Sequence, residues 1–286
     1  MSATHEGPVE RPPGVADAVR ATVGVVCAYA AALLIAAMVA IVGGAANDGI
    51  RSAGDTRAQL AVQAVIFAGA AMLLVEGLRL AVRPRERDPR SASDGDDDES
   101  AGSQLATVFA VGLAAAIGAV LVGPLVAALL PNLHDDVVPV NELGLGKGLG
   151  ADIGTVIVVA GIIPFGEELL FRGVLVGAWA RAGRPVLAVA VSSVLFGLAH
   201  LTVGSRTVVV TLLLGALFAA AMLLARSLGA AVLAHGVVNA LALLDGGLVD
   251  PVPIAVLVLT VLVATAAATR ISRSVWLPAP VGTLDG

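Results

Sequence analysis

The sequence predicts an all-α protein, a polytopic membrane helix bundle of about eight transmembrane helices. Three observations carry this expectation. Charged residues are 14% of the 286-residue chain, against roughly 25% in soluble domains. Mean hydropathy is +0.94, and apolar runs long enough to cross a bilayer recur from end to end. The turns between the later runs are only a few residues long, which makes successive helices antiparallel neighbours.

The runs fall at 20–43, 59–82, 104–130, 153–179, 185–202, 207–225, 228–244 and 251–269. The first continues without a charge to Asp48, too long for a signal-peptide core, so it reads as a retained helix. Residues 1–82 are therefore an N-terminal segment plus two membrane helices. Residues 83–103, from Arg83-Pro84-Arg85-Glu86 through Asp94-Gly95-Asp96-Asp97-Asp98-Glu99, read as a charged linker with nothing to bury. The acidic cluster lacks the ligand alternation and distal Glu of a calcium loop. A six-helix core at 104–270 and a tail at 271–286 complete the division.

Sixteen arginines accompany a single lysine, Lys147; with the Ala/Gly/Val bias, this fits a GC-rich bacterial genome. With both termini cytoplasmic, eleven loop arginines lie on that side, against Arg51, Arg57, Lys147 and Arg206 on the other. The positive-inside rule then favours a multi-pass cell-membrane protein with cytoplasmic termini. No basic stripe supports nucleic-acid binding; the bilayer itself is the expected partner. Cys27 stands alone, which excludes an intrachain disulfide and reads as a small hydrophobe.

Within this apolar context, Glu167-Glu168-Leu169-Leu170-Phe171-Arg172 places three ionisable groups in the fourth span. Each costs about 2.5–3.5 kcal/mol at the centre of a membrane helix. Residues four apart share a helical face, so Glu168 reaches Arg172 while Glu167 points about 100° away. The simplest satisfied arrangement is a Glu168–Arg172 ion pair with Glu167 free to face another helix. The fifth span carries Phe196 and His200, and the seventh His235 and Asn239, both at i,i+4 spacing. Either pair alone is compatible with ordinary interhelical hydrogen bonding. Together, three helices delivering polar groups inward are what a buried hydrolytic centre needs. Glu167 can take a proton from water, His200 can share that water or hold a metal, and His235 with Asn239 can donate to an oxyanion. Glu167, His200 and His235 are also a zinc ligand set with one open position. The residues permit both chemistries.

Glu-Glu-x-x-x-Arg, Phe-x-x-x-His and His-x-x-x-Asn, in that order on successive membrane segments, resemble the CPBP family of intramembrane proteases. That family includes the CAAX prenyl endopeptidases and bacteriocin-processing or immunity-type relatives. The resemblance covers residues 150–245, and all the polar positions are intact. It implies peptide-bond hydrolysis with Glu167 as water-activating base assisted by His200, His235 and Asn239 at the oxyanion, and Glu168 and Arg172 in support. It leaves zinc open. The implied substrate is a membrane-associated peptide or protein. The rival reading is a scaffold or immunity protein that retains the motif. A proton-coupled transporter is disfavoured, because the first half repeats none of these motifs.

Other polar or helix-bending residues have simpler expectations. Glu76 and Arg79 are placed to snorkel, and Asp245 and Asp250 to be wet. Gly161 and Pro164 are placed to distort the fourth helix. Trp179 and Trp276 are expected to anchor at the interface.

Overall fold

A computed structural model describes residues 14–27, 29–30, 97–134, 145, 148–201 and 203–275, and all regular structure among them is helical. The helices are α1 (15–27 and 29–30), α2 (Asp97–Leu129), α3 (Leu149–Arg181), α4 (Pro185–Leu198), α5 (Ser205–Ala225), α6 (Leu228–Asp245) and α7 (Pro251–Val275). Five of them, α2, α3, α5, α6 and α7, are long and apolar enough to cross a membrane. The protein is an all-α membrane bundle. The second expected span, most of the first, and Glu76, Arg79 and Trp276 lie outside the described residues, so the described helices do not reach the expected eight.

Helix α2 starts at Asp97, inside the charged stretch before the third run. The fifth run departs from expectation. Its helix ends at Leu198, and at 1.5 Å per residue its 14 residues reach only about 21 Å, short of an apolar core about 30 Å thick. Beyond it the chain tightens into turns, with the amides of His200, Leu201 and Val203 each bonding three residues back. His200 therefore sits on a turn rather than on the helix.

Many helix-facing positions are alanine, while several large aliphatic side chains point outward. Ala116, Ala119, Ala219, Ala230, Ala231 and Ala234 are buried, whereas Ile117, Leu121, Leu125 and Leu224 are exposed. Lipid is as apolar as leucine, so packing in a membrane favours residues that let backbones approach closely. Gly229 marks such an approach: a Cβ there would run into Thr269 Oγ1 and come within 3.1 Å of the Thr265 carbonyl. Between α5 and α6 the chain reverses over Arg226, with φ 49°, and Ser227, which caps Gly229 N.

Helix α3 is the irregular member. Two π-helical stretches, Val158–Ile162 and Leu169–Val176, flank the ordinary helical turn Ile163–Glu168 that carries the glutamates. The amide of Ile163 bonds to Val158, five residues back. Pro164 has no amide hydrogen to continue the ladder. The Val159 carbonyl thus loses its helical donor, and the turn carrying the glutamates is set apart from the helix on either side. Gly161 lies where a Cβ would strike the Thr260 methyl of α7. Distortion at Gly161 and Pro164 was expected, and it takes the form of a widened turn.

Candidate active site

Glu168 is the centre of the polar cluster. Its Oε1 accepts from Arg172 Nη1 at 3.0 Å and from His235 Nδ1 at 2.8 Å. Glu168 and Arg172 are both 0% exposed, so each charge depends on the other for neutralisation. The expected ion pair is present. Arg172 also donates from Nη2 to the Gly215 carbonyl at 3.2 Å. Its guanidinium lies over the Phe196 ring, 4.2 Å from the centroid, in cation–π contact.

A carboxylate oxygen only accepts, so the His235 proton on this side is on Nδ1, and Nε2 is the nitrogen turned to Glu167. Glu167 Oε2 stands 3.8 Å from Nε2, beyond direct hydrogen-bond length. The Glu167 side chain is 12% exposed where that of Glu168 is 0%. It faces α6, as the helical spacing predicts. The His235 ring stacks on Phe218 with centroids 5.1 Å apart and meets Phe196 edge-on at 5.9 Å, which fixes its plane.

His200 approaches the same aromatic ring from the other side chain it borders, with its centroid 5.1 Å from Phe196. Its Nδ1 bonds to the Phe196 carbonyl at 2.9 Å; a carbonyl accepts, so Nδ1 donates and Nε2 keeps the lone pair. Asn239 has a use that its spacing did not reveal. Its Nδ2 donates to the Val159 carbonyl at 2.8 Å, supplying the donor that the π stretch and Pro164 withdraw. An amide has two N–H groups, so this bond does not exhaust it.

The structure thus joins Glu167, Glu168, Arg172 and His235 directly, places His200 beside them across Phe196, and ties Asn239 to the distorted turn of α3. Among the described residues, no group of three or more His, Cys, Asp or Glu side chains is gathered to hold a metal ion. In His200 and His235 alike Nδ1 is bonded to an acceptor, which leaves Nε2 as the nitrogen that a metal ion would take.

Sequence reasoning missed Tyr29, Phe218 and Gly215. Scarcity was the available signal for the first two: aromatics are only 3% of the chain, yet Tyr29, Phe171, Phe196 and Phe218 form one chain of ring contacts around the cluster. Trp179 also departs from expectation. It is buried at 8% exposure, and its Nε1 donates to Thr22 Oγ1 of α1 at 2.9 Å; a partner inside the bundle satisfies the indole that the interface would otherwise hold.

Residues 150–241 match the family model described as type II CAAX prenyl endopeptidase, Rce1-like. The match covers about a third of the chain. It is consistent with the CPBP intramembrane proteases that the motifs resemble, and it contains all six polar site residues. No curated protein and no solved structure matches the chain. The Rce1-like domain runs from the start of α3 to near the end of α6, so Tyr29 and the whole of α1 lie outside it. It supports protease chemistry in a multi-pass membrane protein, with a peptide or protein as substrate.

Proposed function

We propose that the protein is an intramembrane endopeptidase that cleaves a membrane-associated peptide or protein by a glutamate-activated water. The observation that carries this reading is the division of labour between adjacent carboxylates. Glu168 is consumed by Arg172 and His235, while Glu167 is partly open and faces His235 Nε2. Glu167 takes a proton from water as the oxygen attacks the scissile carbonyl, and the proton passes on to the departing amine. The Nε2 lone pair of His200 helps hold the water. The second N–H of Asn239 is a donor for the oxyanion, and His235 joins it when its Nε2 carries a proton as well as Nδ1. Glu168 and Arg172 fix the His235 ring.

In this reading residues 104–270 are the protease core, preceded by a two-helix module at 1–82 and a linker at 83–103. The protein resides in a bacterial cell membrane with both termini cytoplasmic. Such a cell generally lacks prenylated proteins, so an unprenylated membrane peptide is the favoured substrate class.

The test uses the full chain in phosphatidylethanolamine/phosphatidylglycerol vesicles with two fluorogenic probes, a farnesylated CAAX peptide and an unprenylated membrane-spanning peptide. Mass spectrometry identifies the fragments. Wild type should generate a new amino terminus from the unprenylated probe, and Glu167→Gln should abolish this while eluting as a folded protein in detergent. Cleavage should persist in a strong chelator. Undiminished proteolysis by Glu167→Gln would remove the assigned base, and loss of activity on chelation would restore the metal reading.

A further inference from the structure

We infer that Tyr29 is a positioning residue of this site, contributed by the first helix, whose hydroxyl holds the turn that carries His200. The inference rests on the protease reading for its catalytic consequence, but the contact itself is testable without it.

The chain has one tyrosine, and its phenol donates to the Ala199 carbonyl at 3.0 Å. Ala199 precedes His200 and lies in the turn just past the end of α4. The amides of His200, Leu201 and Val203 bond to carbonyls three residues back at 3.0, 3.2 and 3.0 Å, the poorer geometry of a tight turn. The His200 ring adds its bond to Phe196. A half-buried phenol needs an acceptor, and the Ala199 carbonyl supplies one across 170 residues of sequence.

The ring reinforces the placement. Tyr29 meets Phe171 edge-on, with centroids 5.8 Å apart, and Phe171 meets Phe196 at 5.2 Å. Phe196 is the ring that both imidazoles border. Tyr29 is also within electrostatic reach of Glu167. It therefore touches the surroundings of both groups assigned to the water, from a helix that the Rce1-like match does not include. A second bond ties α1 to α3, between Thr22 and Trp179, and it supplies the control. If Tyr29 only docks α1, losing either anchor has the same effect.

The experiment compares Tyr29→Phe and Thr22→Ala in the full chain, in vesicles, with the unprenylated membrane peptide as probe. Tyr29→Phe keeps the ring and deletes the hydroxyl. It should lower kcat about tenfold, the range of one positioning hydrogen bond, with KM within twofold. Hydrogen exchange should accelerate at the His200, Leu201 and Val203 amides and stay unchanged in α5 and α7. Thr22→Ala should keep kcat within twofold. Wild-type kcat in Tyr29→Phe overturns the inference, and so does an equal loss in Thr22→Ala. If wild type cleaves no probe, the protease reading fails while exchange still decides the contact: unchanged protection at the turn in Tyr29→Phe overturns it, and faster exchange upholds it.

Discussion

Glu168 rather than Glu167 is the fixed carboxylate of the pair, and this has consequences for stability. Removing one partner of a buried ion pair strands the other charge, at a cost of about 3–5 kcal/mol, whereas removing both is far milder. Arg172→Met should therefore lower the unfolding midpoint in mixed micelles sharply, and adding Glu168→Gln should restore much of the loss. A double variant as unstable as the sum of its singles would refute the pairing. The Glu168–Arg172 ion pair was legible in the sequence because it follows from the 3.6-residue period alone; that both glutamates border the same imidazole was not. The bond from His235 to Glu168 was not legible, because it depends on how α6 is rotated against α3. Nor was the turn position of His200, since Phe196 and His200 have the same spacing whether or not the helix continues.

The π turn of α3 explains Asn239 in a way that its own helix cannot. Asn239→Ala should cost about 1–3 kcal/mol by leaving the Val159 carbonyl without a donor. In a Pro164→Ala background the restored backbone amide can serve that carbonyl, so the same substitution should cost less. Equal costs in the two backgrounds would separate Asn239 from the proline. Glycines report on packing in a similar way. Gly229→Ala should destabilise by about 1–3 kcal/mol, because the new methyl meets Thr269 and the Thr265 carbonyl, whereas Gly102→Ala meets nothing within 4 Å and should be neutral or better. Hydropathy located α2, α3, α5, α6 and α7. Composition could not show the widened turn at Val158–Ile162, because it arises from a missing amide hydrogen and the close approach of Gly161 to α7.

The bundle as a whole places the Arg181–Arg184 turn and the Gly204–Ser205 turn at opposite ends of α4. In a Cys27→Ala background, Arg184→Cys should react with an impermeant maleimide only after cells are permeabilised, and Ser205→Cys in intact cells. The reverse pattern would invert the proposed orientation. Arginine bias is the ground for this proposed orientation; the truncation of α4 was not readable, because the apolar run continues through the turn. That truncation has a bearing on the surrounding lipid. A wall element about 9 Å shorter than the hydrocarbon it adjoins obliges acyl chains to compress there or the neighbouring helices to lean across the gap, and either response is inexpensive per ångström. Under the proposed function, thinning beside His200 would shorten the greasy path that solvent, or the uncoiled backbone of a client polypeptide, must traverse to arrive at Glu167.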